Sequence, residues 1–257
     1  MAVAADSVTV VRYTPEEAAA TVARLRQLAA AGFERQVFAH PYMQELMAGT
    51  LPVAKVKGFF QNWYRFAVEI NTVKSDAYNH WLSFFERHPE CYDLFTEQIA
   101  DELTHPGPGG HIKMLYLAGD GFGLSREDLV EAILIPEARA LVDVRVRLWA
   151  DGPLAEAVGS SLTEGPVGVW MGKMHEALTK HYGISEHHAQ YFSKHYEADT
   201  QEHEQGIMAH GEGNGFVLRK ILEDGYRPER ASWNLEYASQ LSVDLYEIFL
   251  DGLYKRY

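Results

Sequence analysis

Apolar residues recur along most of this chain at spacings of three and four. That is the repeat of a helix burying one stripe. The stretch "LPVAKVKGFFQNWYRFAVEINTVKSDAYNHWLSFF" keeps the repeat throughout and predicts one long helix over roughly residues 52–85. Thr14, Pro15 and Glu17 form a start signal: an N-cap, a proline at the first helical position and a capping-box partner. Gly32 is the matching stop. A short helix is expected at about 41–48, ending near Gly49. Pro89 opens another, which runs to the break "HPGPGG" at 105–110. Short helices are expected at about 111–118 and 125–133, with Ser125 and Asp128 able to cap the second. "PEARALVDVRVRLWA" reads as helix. So does "LAEAVGSSLTEGPVGVWMGKMHEALTKHYG", although Gly165, Pro166 and Gly168 should kink or break it. Ser185 is expected to cap "SEHHAQYFSKHYEADTQEHEQGIMAHG", and a last long helix covers roughly 228–255. Only "SVTVVRY" at 7–13 alternates, so it reads as a strand or an extended tail. The pattern predicts an all-α bundle of about seven or more helices. It forms one domain over residues 1–257, with 1–13 as an extended N-terminal tail.

Composition narrows the partners. A formal net charge of −13 argues against nucleic acid or an anionic membrane, since both need a basic surface. The single cysteine, Cys91, rules out a disulfide framework and a thiolate metal cluster. The N-terminus "MAVAADSVTV" lacks the basic start of a secretory signal, and no apolar run reaches the ~18 residues of a membrane span. A cytoplasmic location is expected. Twelve histidines stand out, many of them near acidic residues.

A carboxylate or imidazole embedded in an apolar helix needs a partner or a metal. Four places qualify. Glu69 is flanked by Phe66, Ala67, Val68 and Ile70. Glu102 and His105 form an E-x-x-H pair, which puts both on one helical face. That spacing recurs in carboxylate-bridged di-iron bundles, and alone it also fits a surface pair. Glu164 precedes the glycine-rich kink. His195, Asp199 and His203 recur at i, i+4 and i+8, and Glu202 offers an alternative to His203 on a tighter stripe. Together these are four carboxylates and two or three histidines on four helices. Oxygen and imidazole donors without thiolate suit iron or manganese better than structural zinc.

The order Glu69, then Glu102-x-x-His105, then Glu164-Gly-x-x-Gly-x-Trp170, then the His195 helix resembles the haem-oxygenase-like di-iron oxidases. That superfamily includes the fatty-acid decarboxylase of the UndA type, the pyrroloquinoline-quinone synthases, the thiaminase TenA and the chlamydial CADD protein. "FAHPYMQELMAGTLP", "GLSREDL" and "SSLTE" add to the likeness. The resemblance implies a seven-helix core around a central pocket and, commonly, a homodimer. It implies two iron ions, Fe(II)/Fe(III), with O2 as co-substrate. Their ligands would be Glu69, Glu102, His105, Glu164, Asp199 and His203, with His195 as a further candidate. Of these, Glu69, Glu102, His105 and Glu164 would carry the catalysis. The chain departs from the commonest His-x-x-x-Asp-x-x-His pattern, because Glu202 stands seven after His195 and His203 comes one later.

The function this implies is oxidation of a small carboxylate-bearing metabolite, amino-acid-like or a fatty acid, by decarboxylation, C–C cleavage or N-oxygenation. Arg65 is a candidate for binding the substrate carboxylate, with a surface salt bridge as the alternative. Phe60, Trp63, Tyr64 and Trp170 are candidates for the pocket wall. Two other classes remain open. One is a metal-independent enzyme of the quinone-synthase or TenA type, using acids and bases. The other is a non-catalytic helical binding protein.

Overall fold

The computed structural model describes residues 9–105, 107, 109–201, 208–230 and 232–257. Thirteen α-helices lie in this described part. The first five are α1 (Pro15–Gly32), α2 (Pro41–Met47), α3 (Val53–His80), α4 (Leu82–Arg87) and α5 (Pro89–Leu103). Then come α6 (Gly110–Asp120), α7 (Arg126–Val130), α8 (Pro136–Asp151) and α9 (Leu154–Ser160). The last four are α10 (Glu164–His181), α11 (Gln190–Thr200), α12 (His210–Asp224) and α13 (Leu235–Arg256). Among the described residues there is no strand. The segment expected to alternate makes one antiparallel bridge, Val11 to Tyr226.

Local chemistry sets the ends. Thr14 caps α1 with a full capping box: its hydroxyl accepts from Glu17 N–H, and the Glu17 carboxylate accepts from Thr14 N–H. Ser125 and Asp128 do the same for α7. Four expectations change. The long helix breaks at Trp81, separating α3 from α4. The expected kink at Gly165–Gly168 lies instead in a 3-10 turn at Ser161–Thr163, and α10 runs through Gly165, Pro166 and Gly168. Pro166 sits in the first turn of α10, where its missing N–H costs no helical bond. Ser185 caps a turn, accepting from His188 N–H, and α11 begins at Gln190. Finally α12 starts a new helix at His210, where the pattern carries the Ser185 stretch on to Gly211 and predicts no helix from there to the last one. Gly211, Gly213 and Gly215 weaken the helical signal there.

The core explains the aromatic richness. On α3 the buried residues Phe59, Trp63, Phe66, Ala67 and Ile70 follow helical spacing. Trp63 stacks on Phe59 at 5.3 Å and meets Trp170 edge-on at 5.5 Å. The indole N–H of Trp63 donates to Tyr191 Oη at 2.7 Å, and that of Trp170 to Met43 Sδ at 3.0 Å. Buried indoles need such partners. Truncating Trp170, fully buried on α10, would cost about 3–5 kcal/mol. Among the described residues no helix is long and apolar enough to cross a membrane. Against this aromatic wall, α5, α6, α10, α11 and α12 bring their polar residues together.

Candidate metal centre

Glu102 stands on the last turn of α5. The chain then reverses through Gly109 and Gly110, both with positive φ. A side chain on Gly110 would stand 2.1 Å from the Glu102 carbonyl oxygen, so only glycine permits this approach. The reversal lays the first turn of α6 against the end of α5 and puts His111 opposite Glu102. His195 arrives from α11. Glu102, His111 and His195 present one donor atom each, all within 4.8 Å of one another.

The protonation of this trio follows from its partners. The His195 Nδ1–H donates to the Tyr191 carbonyl at 2.9 Å, because a carbonyl only accepts. Its Nε2 faces Glu102 Oε1 at 3.6 Å; burial would lower the His195 pKa, but Glu102 and Asp199 outweigh it and raise it. An imidazole so oriented by a backbone carbonyl is the usual setting of a metal-ligating histidine. His111 Nδ1 lies 3.1 Å from Glu102 Oε2 but forms no hydrogen bond, although it is buried. A common ion would satisfy both groups. Asn71 Nδ2 donates to Glu102 Oε2 at 2.7 Å. Burial alone would push the Glu102 carboxyl up, but His111 and His195 overcome that and hold it well below the usual carboxylate range.

A second trio, Glu164, Asp199 and His210, lies on α10, α11 and α12. Its donors already have partners. Lys74 Nζ donates to Glu164 Oε1 at 2.6 Å. Gln98 and Asn214 donate to Glu164 Oε2, the latter at 2.6 Å. His210 sits between two carboxylates: Nδ1 is 3.2 Å from Asp199 Oδ1, and Nε2 is 3.0 Å from Asp101 Oδ2. Burial would lower the His210 pKa, but the two carboxylates dominate and raise it to about 10. With a carboxylate on each ring nitrogen, the protonated ring is favoured. The first trio takes a cation once His195 gives up the proton that Glu102 favours. The second accepts one only after Lys74 and His210 yield their protons or places.

The expected ligands divide accordingly. Glu102 joins His195, and Glu164 joins Asp199. Glu69 does not reach the site: it faces α8, where Arg139 grips its carboxylate through Nη1 and Nη2 at 3.1 and 3.2 Å. The flanking Phe66, Ala67 and Ile70 point into the core, but the helical turn of about 100° per residue rotates Glu69 away from them. His105 does not reach it either. Its side chain is 54% exposed and bonds Asp101 at 2.9 Å. A third cluster, Glu97, Asp101 and His105, forms there at the rim. His203 and Glu202 lie outside the described residues. The spacing argument missed His111 and His210, each at the start of a new helix beyond a break. Arg65 lies beside Glu69 at 3.7 Å, outside the cavity. Of the four aromatics expected on the pocket wall, Trp63 lines the cavity.

That cavity, about 60 Å³, lies between the two trios. Trp63, Phe66, Ile70, Val167 and Tyr246 form its apolar wall. Lys74, Glu102, Arg145, Glu164, His195 and Asp199 form its polar wall. Reactive groups thus face a small space that has the aromatic core as one wall.

Known proteins share this arrangement of helices. A TenA homolog from Pseudomonas syringae pv. tomato superposes with a TM-score of 0.69 at 17% identity, covering 97% of this chain and 100% of that one. A domain of unknown function with a heme oxygenase-like fold from Shewanella denitrificans gives 0.65 at 16%, covering 92% and 93%. A CADD-like protein of unknown function from Nostoc punctiforme gives 0.65 at 18%, covering 93% and 97%. These likenesses show a haem-oxygenase-like fold. In sequence, the pyrroloquinoline-quinone synthase of Granulibacter bethesdensis is 33% identical over 158 residues, which is 59% of this chain and 55% of that one. The synthase of Cronobacter sakazakii is 29% identical over 126 residues, or 49% and 48%. The chain spans about half the length of these curated relatives. The TENA/THI-4/PQQC family model matches residues 26–210, most of the chain, and the chain belongs to that family.

Proposed function

We propose that this protein is a non-haem iron enzyme that uses O2 to oxidise a small carboxylate-bearing metabolite. The observation that carries this reading is the trio Glu102, His111 and His195. It holds an ionised carboxylate, an imidazole whose ring the Tyr191 carbonyl aims at that carboxylate, and a buried imidazole nitrogen without a hydrogen bond. Oxygen and imidazole donors suit iron or manganese. Cys91 offers no thiolate, since burial pushes its thiol up to about 12. The Glu164 trio would take a second ion.

Iron, when bound, supplies electron transfer to O2. The chain's own residues supply the setting. The Tyr191 carbonyl fixes the His195 ring, and Asn71 orients Glu102. The aromatic wall keeps water from one side of the cavity, which strengthens charge interactions there. Lys74 and His210 hold protons beside Glu164 and Asp199.

One observation favours a second reading. The Glu164 and Asp199 carboxylates pair with Lys74 and His210, a set of proton donors and acceptors that an acid–base enzyme related to the quinone synthases would use. Anaerobic titration with Fe(II), followed by O2 uptake against amino acids and short fatty acids, separates the two. Iron-dependent O2 uptake that is lost in His111→Ala supports the first. Turnover of an organic substrate in chelator-treated protein supports the second and overturns the first.

A further inference from the structure

Arg145, on α8, is 2% exposed and lines the central cavity beside Lys74 and Tyr246. A guanidinium so buried ordinarily has a carboxylate partner, because an uncompensated buried charge is costly. Among the described residues, no carboxylate oxygen lies within 4.0 Å of it. Its hydrogen-bond partners are neutral. Nη1 donates to the Ser160 carbonyl at 2.6 Å and to Ser242 Oγ. Nη2 makes only a long bond, 3.3 Å, to Ser161 Oγ. Nε is buried with no partner. The three serines thus fix one edge of the fork and leave the Nε–Nη2 edge nearly unused. That edge is the one a carboxylate grips with two parallel bonds.

Nearby anions do not fill the vacancy. The field of Arg145 helps keep Glu164 ionised, but the Glu164 oxygens are bonded to Lys74, Gln98 and Asn214. The space left is also small. About 60 Å³ is far below the roughly 300 Å³ at which pockets for drug-sized ligands begin. Phe66, Ile70, Val167 and Tyr246 offer apolar surface to a short chain.

We propose that Arg145 is the carboxylate anchor of the substrate site, and that the substrate is a short carboxylic acid of amino-acid size rather than a long-chain fatty acid. The inference rests on the proposed function for the site's role, but its test does not depend on iron. Arg145 grips the carboxylate, and the short chain lies along the apolar wall toward Glu102 and His195. Arg65, outside the cavity, takes no part.

The test is ligand-observed NMR on chelator-treated protein with isobutyrate, isobutyramide and decanoate. Isobutyrate should bind more tightly than its neutral amide by about tenfold or more, the worth of a charge-assisted pair. Arg145→Met should erase that preference, and Arg145→Lys should keep part of it. Decanoate should bind no more tightly than isobutyrate. Circular dichroism establishes that each variant is folded. If Arg145→Met does not fold, the acid–amide comparison on the natural protein and the Lys variant still decide. Equal binding of acid and amide, an undiminished preference in Arg145→Met, or tighter binding of decanoate overturns the proposal. Acid binding that appears only with Fe(II) and ignores Arg145 places the carboxylate on the metal; the anchor then falls and the proposed function stands. A preference that depends on Arg145 in protein that takes up no Fe(II) keeps the anchor and removes the iron reading.

Discussion

Lys74 Nζ lies 2.6 Å from Glu164 Oε1, with side chains only 8% and 14% exposed. This pair puts an ammonium against the carboxylate that a second metal ion would need. Under the proposed function two cations would compete for one site, and the pair would set the metal stoichiometry. The natural protein should bind one Fe(II) strongly, at Glu102, His111 and His195, and a second weakly. Lys74→Met leaves Glu164 with Gln98 and Asn214 and without its cation. Breaking such a pair costs about 3–5 kcal/mol, and the metal-free variant should melt earlier. Added Fe(II) should restore stability in the variant and bring the stoichiometry toward two. Anaerobic calorimetric titration checks this; a variant that binds iron as the natural protein does would refute it.

His111 and His105 separate the two ways of completing the Glu102 site. His111→Ala removes a buried donor 3.1 Å from Glu102, and Fe(II) affinity should fall by about 10–100-fold or more. His105→Ala removes an exposed ring bonded to Asp101. Its cost should stay below about 1 kcal/mol, with the iron affinity nearly unchanged. The reverse ranking would return the ligand role to the E-x-x-H pair.

That contrast shows what a sequence reveals of such a site. Glu102, Glu164, His195 and Asp199 were legible, because each interrupts an otherwise helical apolar stripe. Glu69 was misleading for the same reason: apolar neighbours in sequence occupy several faces of a helix, and its own face meets Arg139. His111 stands nine residues beyond Glu102, across a turn, where helical spacing has no reach. Only the close approach at Gly110 makes them neighbours. His210 was hidden by glycines that lower the helical signal of α12. The all-α architecture was readable because periodicity is local, whereas a site assembled across helix breaks depends on packing.

Gly168 sits where α10 crosses α11. A β-carbon there would stand 2.5 Å from Asp199 Cβ and 2.9 Å from Thr200 Cγ2. Gly168→Ala should therefore cost about 1–3 kcal/mol through overpacking and push Asp199 away from His210. Gly165→Ala is the control. A β-carbon at Gly165 meets nothing beyond its own turn within 4 Å, but Pro166 follows and disfavours the helical region for a residue with a β-carbon, so alanine there should change stability by less than about 1 kcal/mol. Urea unfolding of both variants measures the difference. Equal effects would mean that the glycine at the crossing is not required for close packing.

Glu156 lies fully buried on α9, away from the trios. Its Oε1 accepts from Tyr226 Oη at 2.6 Å and from Glu229 N–H at 3.0 Å, while Oε2 is buried without a partner. Burial pushes its carboxyl up, against the hydrogen bonds that lower it. The folded protein therefore holds the Glu156 proton more tightly than the unfolded chain, whose glutamate titrates near about 4.3. The stability this contributes is fully present below that value and is lost as pH rises through the raised folded pKa. Glu156→Gln keeps the shape of the protonated acid at every pH. Its unfolding midpoint should exceed that of the natural protein at pH ~8, and the gap should close as pH falls toward ~4. Parallel urea titrations at the two pH values read the gap directly. A constant difference between them would mean that Glu156 does not change its protonation on folding.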